Sequence, residues 1–112
     1  MKLQIANYAF GVQLENNPAA EALTELLPME INMTELNGNE KYHYLSTNLP
    51  ASSEKVGKIH AGDIMLFGDD CLVLFYKSFK TNYSYTRIGY IDNTSNLEKA
   101  VGRGTVSTTW SL

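Results

Sequence analysis

Cysteine is almost absent from this chain. Cys71 is the only one among 112 residues, so no disulfide can form within the chain and a thiolate zinc site has no ligand set. Histidine is nearly as scarce: His43 and His60 stand apart, without the nearby Cys, Asp and Glu spacing of a metal centre. No metal or cofactor is therefore expected. No stretch approaches the roughly 20 apolar residues of a membrane span. Gln4 and Asn7 also interrupt the start, where a signal peptide needs an unbroken apolar segment. The expectation is a soluble, cytoplasmic protein. Positive charge is thin as well, with nine Lys and Arg scattered against twelve Asp and Glu for a net charge of −3, which argues against a nucleic-acid partner.

Motifs for covalent chemistry are missing too. There is no Gly-x-Ser-x-Gly elbow, and Gly102 to Thr105 follows a helical stretch and so reverses the order of a phosphate-binding loop, leaving Gly102 as a helix cap. Glu30, Glu35 and Glu40 are spaced as a wet strand face and a turn, not as a catalytic pair. Cys71, with no basic cluster beside it in sequence, reads as a buried and unreactive thiol.

What the chain does have is alternation. With 44% hydrophobic residues it has the composition of one folded domain over residues 1–112, large enough to bury roughly two thirds of its unfolded surface. Leu3 and Ile5, then Phe10, Val12 and Leu14, follow the period-two pattern of a hairpin. Asn17 and Pro18 are a helix cap and a first helical residue, and Leu23, Leu26 and Leu27 form the apolar face of a helix that Pro28 stops at Leu27. Met29, Ile31 and Met33 alternate with polar neighbours, Asn37-Gly38 is a turn, and Tyr42 and Tyr44 mark a short aromatic strand. The segment from Asn48 to Lys58 is a polar loop.

Two apolar runs flank Gly68-Asp69-Asp70 as a second hairpin, with Asp63 ordering the turn before it. Tyr83 to Ile91 forms another strand, Leu97 to Val101 a short helix after a cap at Ser95 or Asn96, and Thr105 to Trp110 a closing strand. About eight short strands, one helix early and one short helix late describe a mainly β fold, a closed or nearly closed barrel. An open α+β sandwich is the alternative. Closure requires the first hairpin to pair with the last strand or its neighbour.

Three stretches together carry a resemblance: LNGNEKYHYL, IHAGDIMLFGDDCLVLFYKSF and YSYTRIGYIDN. They resemble the small bacterial cyclophilin-like domains across nearly the whole chain, with AGD at Ala61 to Asp63 and YTRIG at Tyr85 to Gly89 the most specific parts. The resemblance implies an eight-stranded cyclophilin-type barrel. In true cyclophilins an arginine on an early strand donates hydrogen bonds around the prolyl amide. The matching strand here, KYHYL, offers His43 instead. Tyr85 falls near the place of an apolar-pocket histidine in that family.

The binding candidates are therefore Tyr44, Phe67, Tyr76, Tyr83, Tyr85 and Arg87, the large aromatics and the one fork donor on the strands that build the corresponding groove. They make a peptide or small ligand the expected partner. Tyr83, Tyr85 and Arg87 share a face by period two, as a working platform, as an exterior ladder, or with Tyr85 turned into the barrel. The rival functions are a divergent prolyl isomerase with Arg87 as donor and a subunit-interface module.

Without the early arginine, prolyl isomerase activity is expected to be absent or very weak, since one missing transition-state donor costs about 2.7 to 4 kcal/mol. A protease-coupled proline-peptide assay measures it. Turnover like that of an ordinary cyclophilin, abolished by Arg87→Ala, would be the contrary result.

Overall fold

The computed structural model describes residues 1–112. Eleven strands and two helices follow in the order β1 (Lys2–Ile5), β2 (Tyr8–Leu14), α1 (Pro18–Glu25), β3 (Met29–Leu36), β4 (Glu40–Tyr44), β5 (Glu54–Lys55), β6 (Lys58–Ile59), β7 (Asp63–Phe67), β8 (Cys71–Phe75), β9 (Phe79–Lys80), β10 (Ser84–Ile91), α2 (Leu97–Val101) and β11 (Val106–Ser111). Eight of them close a ring of antiparallel pairs, β2-β1-β11-β3-β4-β8-β7-β10 and back to β2. The first hairpin pairs with the last strand, Leu3 opposite Trp110. The fold is a closed eight-stranded barrel with no free edge among those strands.

Local chemistry sets the turns. Asn37 and Gly38 both hold positive φ, 58° and 69°, at the centre of a turn closed by the Asn39 N–H donating to the Leu36 carbonyl at 3.3 Å, a left-handed pair that Asn-Gly supplies at little cost. Asn17 caps α1 by accepting from the Ala20 N–H at 2.8 Å, and its amide donates to the Arg87 carbonyl at 2.8 Å. One side chain thus starts the helix and ties it to β10. The helix ends at Glu25 rather than Leu27, because the Leu26 and Leu27 N–H groups turn back to Leu23 and Thr24 in a tighter final turn. At α2 the Asn96 side chain makes no cap bond; Asn93 accepts from the Ser95 N–H in the turn that leads into the helix. Asp63 accepts from the His60 N–H at 2.8 Å and orders its turn as expected.

β2 and β10 run antiparallel, so α1 after β2 and α2 after β10 cover opposite ends of the barrel. Ala19 and Leu23 from α1, and Leu97, Ala100 and Val101 from α2, join the interior core with Leu3, Ile5, Ile64, Leu72 and Trp110. The Trp110 indole N–H is satisfied inside by the Thr108 hydroxyl at 2.8 Å, which itself donates to the Ile31 carbonyl. A second cluster of Ile59, Met65, Cys71, Val73, Phe75 and Tyr85 lies on the outer face of β7, β8 and β10. The segment expected as a polar loop helps cover it, forming β5 against β10 and β6 against β9.

The ring closes where Gly89 of β10 faces Leu14 of β2. A Cβ at Gly89 would lie 2.3 Å from the Gln13 carbonyl oxygen, a backbone atom that cannot move without opening the seam. Gly89→Ala is expected to lower stability by about 2 to 3 kcal/mol, as overpacking of a tight contact does. Urea midpoints measure the loss, and an unchanged midpoint would mean that the seam is slack.

Candidate functional site

Strand alternation places Glu40, Tyr42 and Tyr44 on the outer face of β4, opposite Phe75, Val73 and Cys71 of β8. Cys71 in turn faces Phe67 of β7. The aromatic rings of this wall meet edge to face: Tyr42 with Tyr44 at 5.9 Å, and Phe67 with Tyr83 at 6.1 Å. Tyr85 lies 5.7 Å from Phe67 and 5.5 Å from Phe75. Together with Phe79 these residues, Phe75 excepted, line an open cavity of about 720 Å³ on the outside of the barrel. Its floor is Cys71, Val73 and Tyr85 of the outer cluster, and its rim is the β3–β4 turn and residues 80–83.

Four of the six sequence candidates come together here: Tyr44, Phe67, Tyr83 and Tyr85. Tyr44, Phe67 and Tyr83 are 62%, 45% and 66% exposed. Tyr85 is only 4% exposed. It is neither an exterior ladder residue nor turned into the barrel, but buried against the outer wall. Tyr83 lies just before β10, its N–H bonded to the Thr81 hydroxyl.

The other two candidates lie elsewhere. The Arg87 Nε donates to Glu54 at 3.3 Å in a shallow polar hollow that also includes Asn17 and Ser52. Tyr76 belongs to the interior core.

Tyr76 completes a network that sequence reading missed. Lys41, on the inward face of β4, is 0% exposed. Its ammonium donates to the Gly102 carbonyl at 3.1 Å and the Gly104 carbonyl at 2.5 Å, pairs with Glu35 at 3.0 Å and lies 5.6 Å from the Tyr76 ring. The Tyr76 hydroxyl donates to Glu35 at 2.6 Å. A buried lysine is tolerable because every contact is an acceptor or a π face. In sequence, Lys41 was indistinguishable from a solvated strand residue, and Glu35 from part of a wet face.

The cavity also holds polar groups that were missed. Glu40 and Asn39 line it, as does Cys71. Burial, then the charges of Asp70 and Glu40, push the Cys71 thiol up to about 11, so it is a neutral and poor nucleophile. Burial, then Glu40, raises the Tyr85 phenol to about 12. Glu40 itself is raised by burial and by Glu35. The alternation Glu40-x-Tyr42-x-Tyr44 was the available signal for this wall, and only its last member was chosen. No group of three or more His, Cys, Asp and Glu gathers as metal ligands, and no helix is long and apolar enough to cross a membrane.

A closed antiparallel barrel, capped by a helix at each end and bearing an aromatic cluster on the outer wall, defines a class of small β-barrel domain. The chain belongs to the cyclophilin-like family, whose sequence model matches residues 3–111. No curated protein and no solved structure matches it.

The lysine network predicts an acid-sensitive barrel end. Burial raises the Glu35 carboxyl, but hydrogen bonds from Tyr76, Lys41 and the Gly38 N–H, with the Lys41 charge, outweigh it and hold the group below its ordinary 4.5. A depressed carboxylate stabilises fully above its unfolded value and loses that contribution as pH falls through its folded one. Glu35→Gln is expected to cost about 3 kcal/mol at pH 7, the low end for a broken buried pair because two carbonyls still hold Lys41. The gap between wild type and variant should narrow as pH falls below 4.5. Thermal midpoints across pH check it, and a gap independent of pH would refute the assignment.

Proposed function

We propose that this chain is a binding domain whose outer-wall cavity holds an extended peptide or a small ligand. The observation that carries this is the set of three exposed aromatic residues, Tyr44, Phe67 and Tyr83, around a cavity of about 720 Å³ with an apolar floor. Exposed aromatic surface gathered in one concavity is stabilised when something covers it, whereas scattered exposure needs no such account. The rings lie on or beside strands whose opposite faces are locked in the barrel core, so the platform is preorganised and little ordering entropy opposes binding.

The isomerase alternative receives less support. It needs a donor over an apolar proline slot, and the Arg87 guanidinium lies in a polar hollow, paired with Glu54. An interface between subunits would use the same aromatic surface, and mass against concentration separates it from ligand binding.

The test is chemical-shift mapping with a panel of short peptides and planar fragments. Binding should move the signals of Tyr42, Tyr44, Phe67 and Tyr83 together. Tyr44→Ala and Tyr83→Ala should each abolish those shifts while changing stability by no more than about 0.5 kcal/mol, as exposed substitutions do. Tyr85→Ala should instead cost about 3 to 5 kcal/mol through the cavity it leaves. Ligand shifts confined to other surfaces, or a mass that doubles as the aromatic signals broaden, would reject the ligand-binding assignment.

A further inference from the structure

We propose that the outer-wall cavity takes an organic ammonium group, seated against the Glu40 carboxylate among the rings of Tyr42, Tyr44, Phe67, Tyr83 and Tyr85. The inference rests on the binding role above and adds the charge of what is bound.

Glu40 is half-buried on the cavity wall, yet it makes no ion pair. Its charge reaches the cavity's own groups, raising both Tyr85 and Cys71. Burial and the nearby Glu35 both disfavour the charged form of Glu40, and a cation beside it would relieve both. Lys41, one residue on, cannot serve, because strand alternation sends it to the opposite face and Gly102, Gly104 and Glu35 already hold it. Lys80 also lines the cavity, but it is exposed and unpaired with Glu40.

Around Glu40 stand tyrosine and phenylalanine rings, whose faces carry the negative part of the ring quadrupole. Carboxylate and π faces favour a cation; only the apolar floor favours a neutral molecule, and nothing but the exposed Lys80 favours an anion. The shared chemistry is an alkylammonium group, from a free amine or from a lysine side chain on a peptide.

The experiment titrates the intact protein with butyltrimethylammonium, its neutral isostere 3,3-dimethylbutyl methyl ether, butyrate, and a lysine pentapeptide with its Nε-acetyl form, following the aromatic and Glu40 side-chain signals. One cation, small or peptidic, should bind roughly tenfold tighter than its uncharged counterpart, the scale of a partly desolvated cation–π and ion-pair contact. Which cation wins identifies the source. Glu40→Gln should erase the preference for charge while keeping the fold, verified by its thermal midpoint, and Tyr44→Leu should weaken the cation more than the neutral probe. Equal binding of charged and uncharged probes, tightest binding by butyrate, or a preference that survives Glu40→Gln would overturn the inference while leaving the binding role intact. No shift in the cavity with any of these probes would overturn the inference, and none with the panel of peptides and planar fragments either would overturn both.

Discussion

The barrel depends on one close approach, the backbone of Gly89 in β10 against Gln13 and Leu14 in β2. Joining these strands removes the last pair of free edges. The adjoining bulge does the rest of the positioning. Arg87 pairs with Met65 and Gly89 with Ile64, so Ile88 is an extra residue on β10. Its carbonyl is not left idle, since the Glu15 N–H donates to it at 2.9 Å, and the preceding carbonyl of Arg87 receives the Asn17 amide. The irregularity therefore becomes the docking point for α1. It also changes the strand's facing, with Ile88 and Ile91 both inward although they are three residues apart.

Because β10 is held in this way, Tyr85 falls on the outside of a wall whose inside is already filled. β7 and β8 carry two cores: Ile64, Leu66, Leu72 and Leu74 face inward, while Met65, Cys71, Val73 and Phe75 face outward under Ile59 and Phe79. That double burial explains why these strands read as continuous apolar runs instead of alternating. The outer cluster gives the cavity a rigid apolar floor, and the exposed aromatic residues stand at the end of the sheet where that covering stops.

Much of this was legible in the sequence. Asn-Gly, the Gly68 hairpin, the Asn17-Pro18 helix start and the period-two strands act over a few residues, and the helix, the barrel and the pairing of its ends followed from them. Tyr83, Tyr85 and Arg87 show the limit. Period two gave Tyr85 and Arg87 the same face correctly, but Tyr83 precedes the strand and Arg87 is drawn to Glu54 on β5, a partner more than thirty residues away. Tyr76 and Lys41 show the same limit more strongly. Whether a lysine is solvated or buried depends on carbonyls brought to it by the α2–β11 connection, and no local pattern encodes that meeting.

Lys41 and Glu40 are neighbours in sequence and opposites in treatment. Inside, the ammonium is satisfied by two carbonyls, a carboxylate and a ring, and it ties the α2–β11 connection to β4. Outside, the carboxylate has no partner and is disfavoured by its burial and by Glu35. Glu35 links the two, since the charge that settles Lys41 is also one that unsettles Glu40. Stability alone would favour a neutral residue at position 40. A strand that pairs one charge completely and leaves the next unpaired, on the wall where the aromatic rings gather, places its unused electrostatic attraction at the cavity and not in the fold.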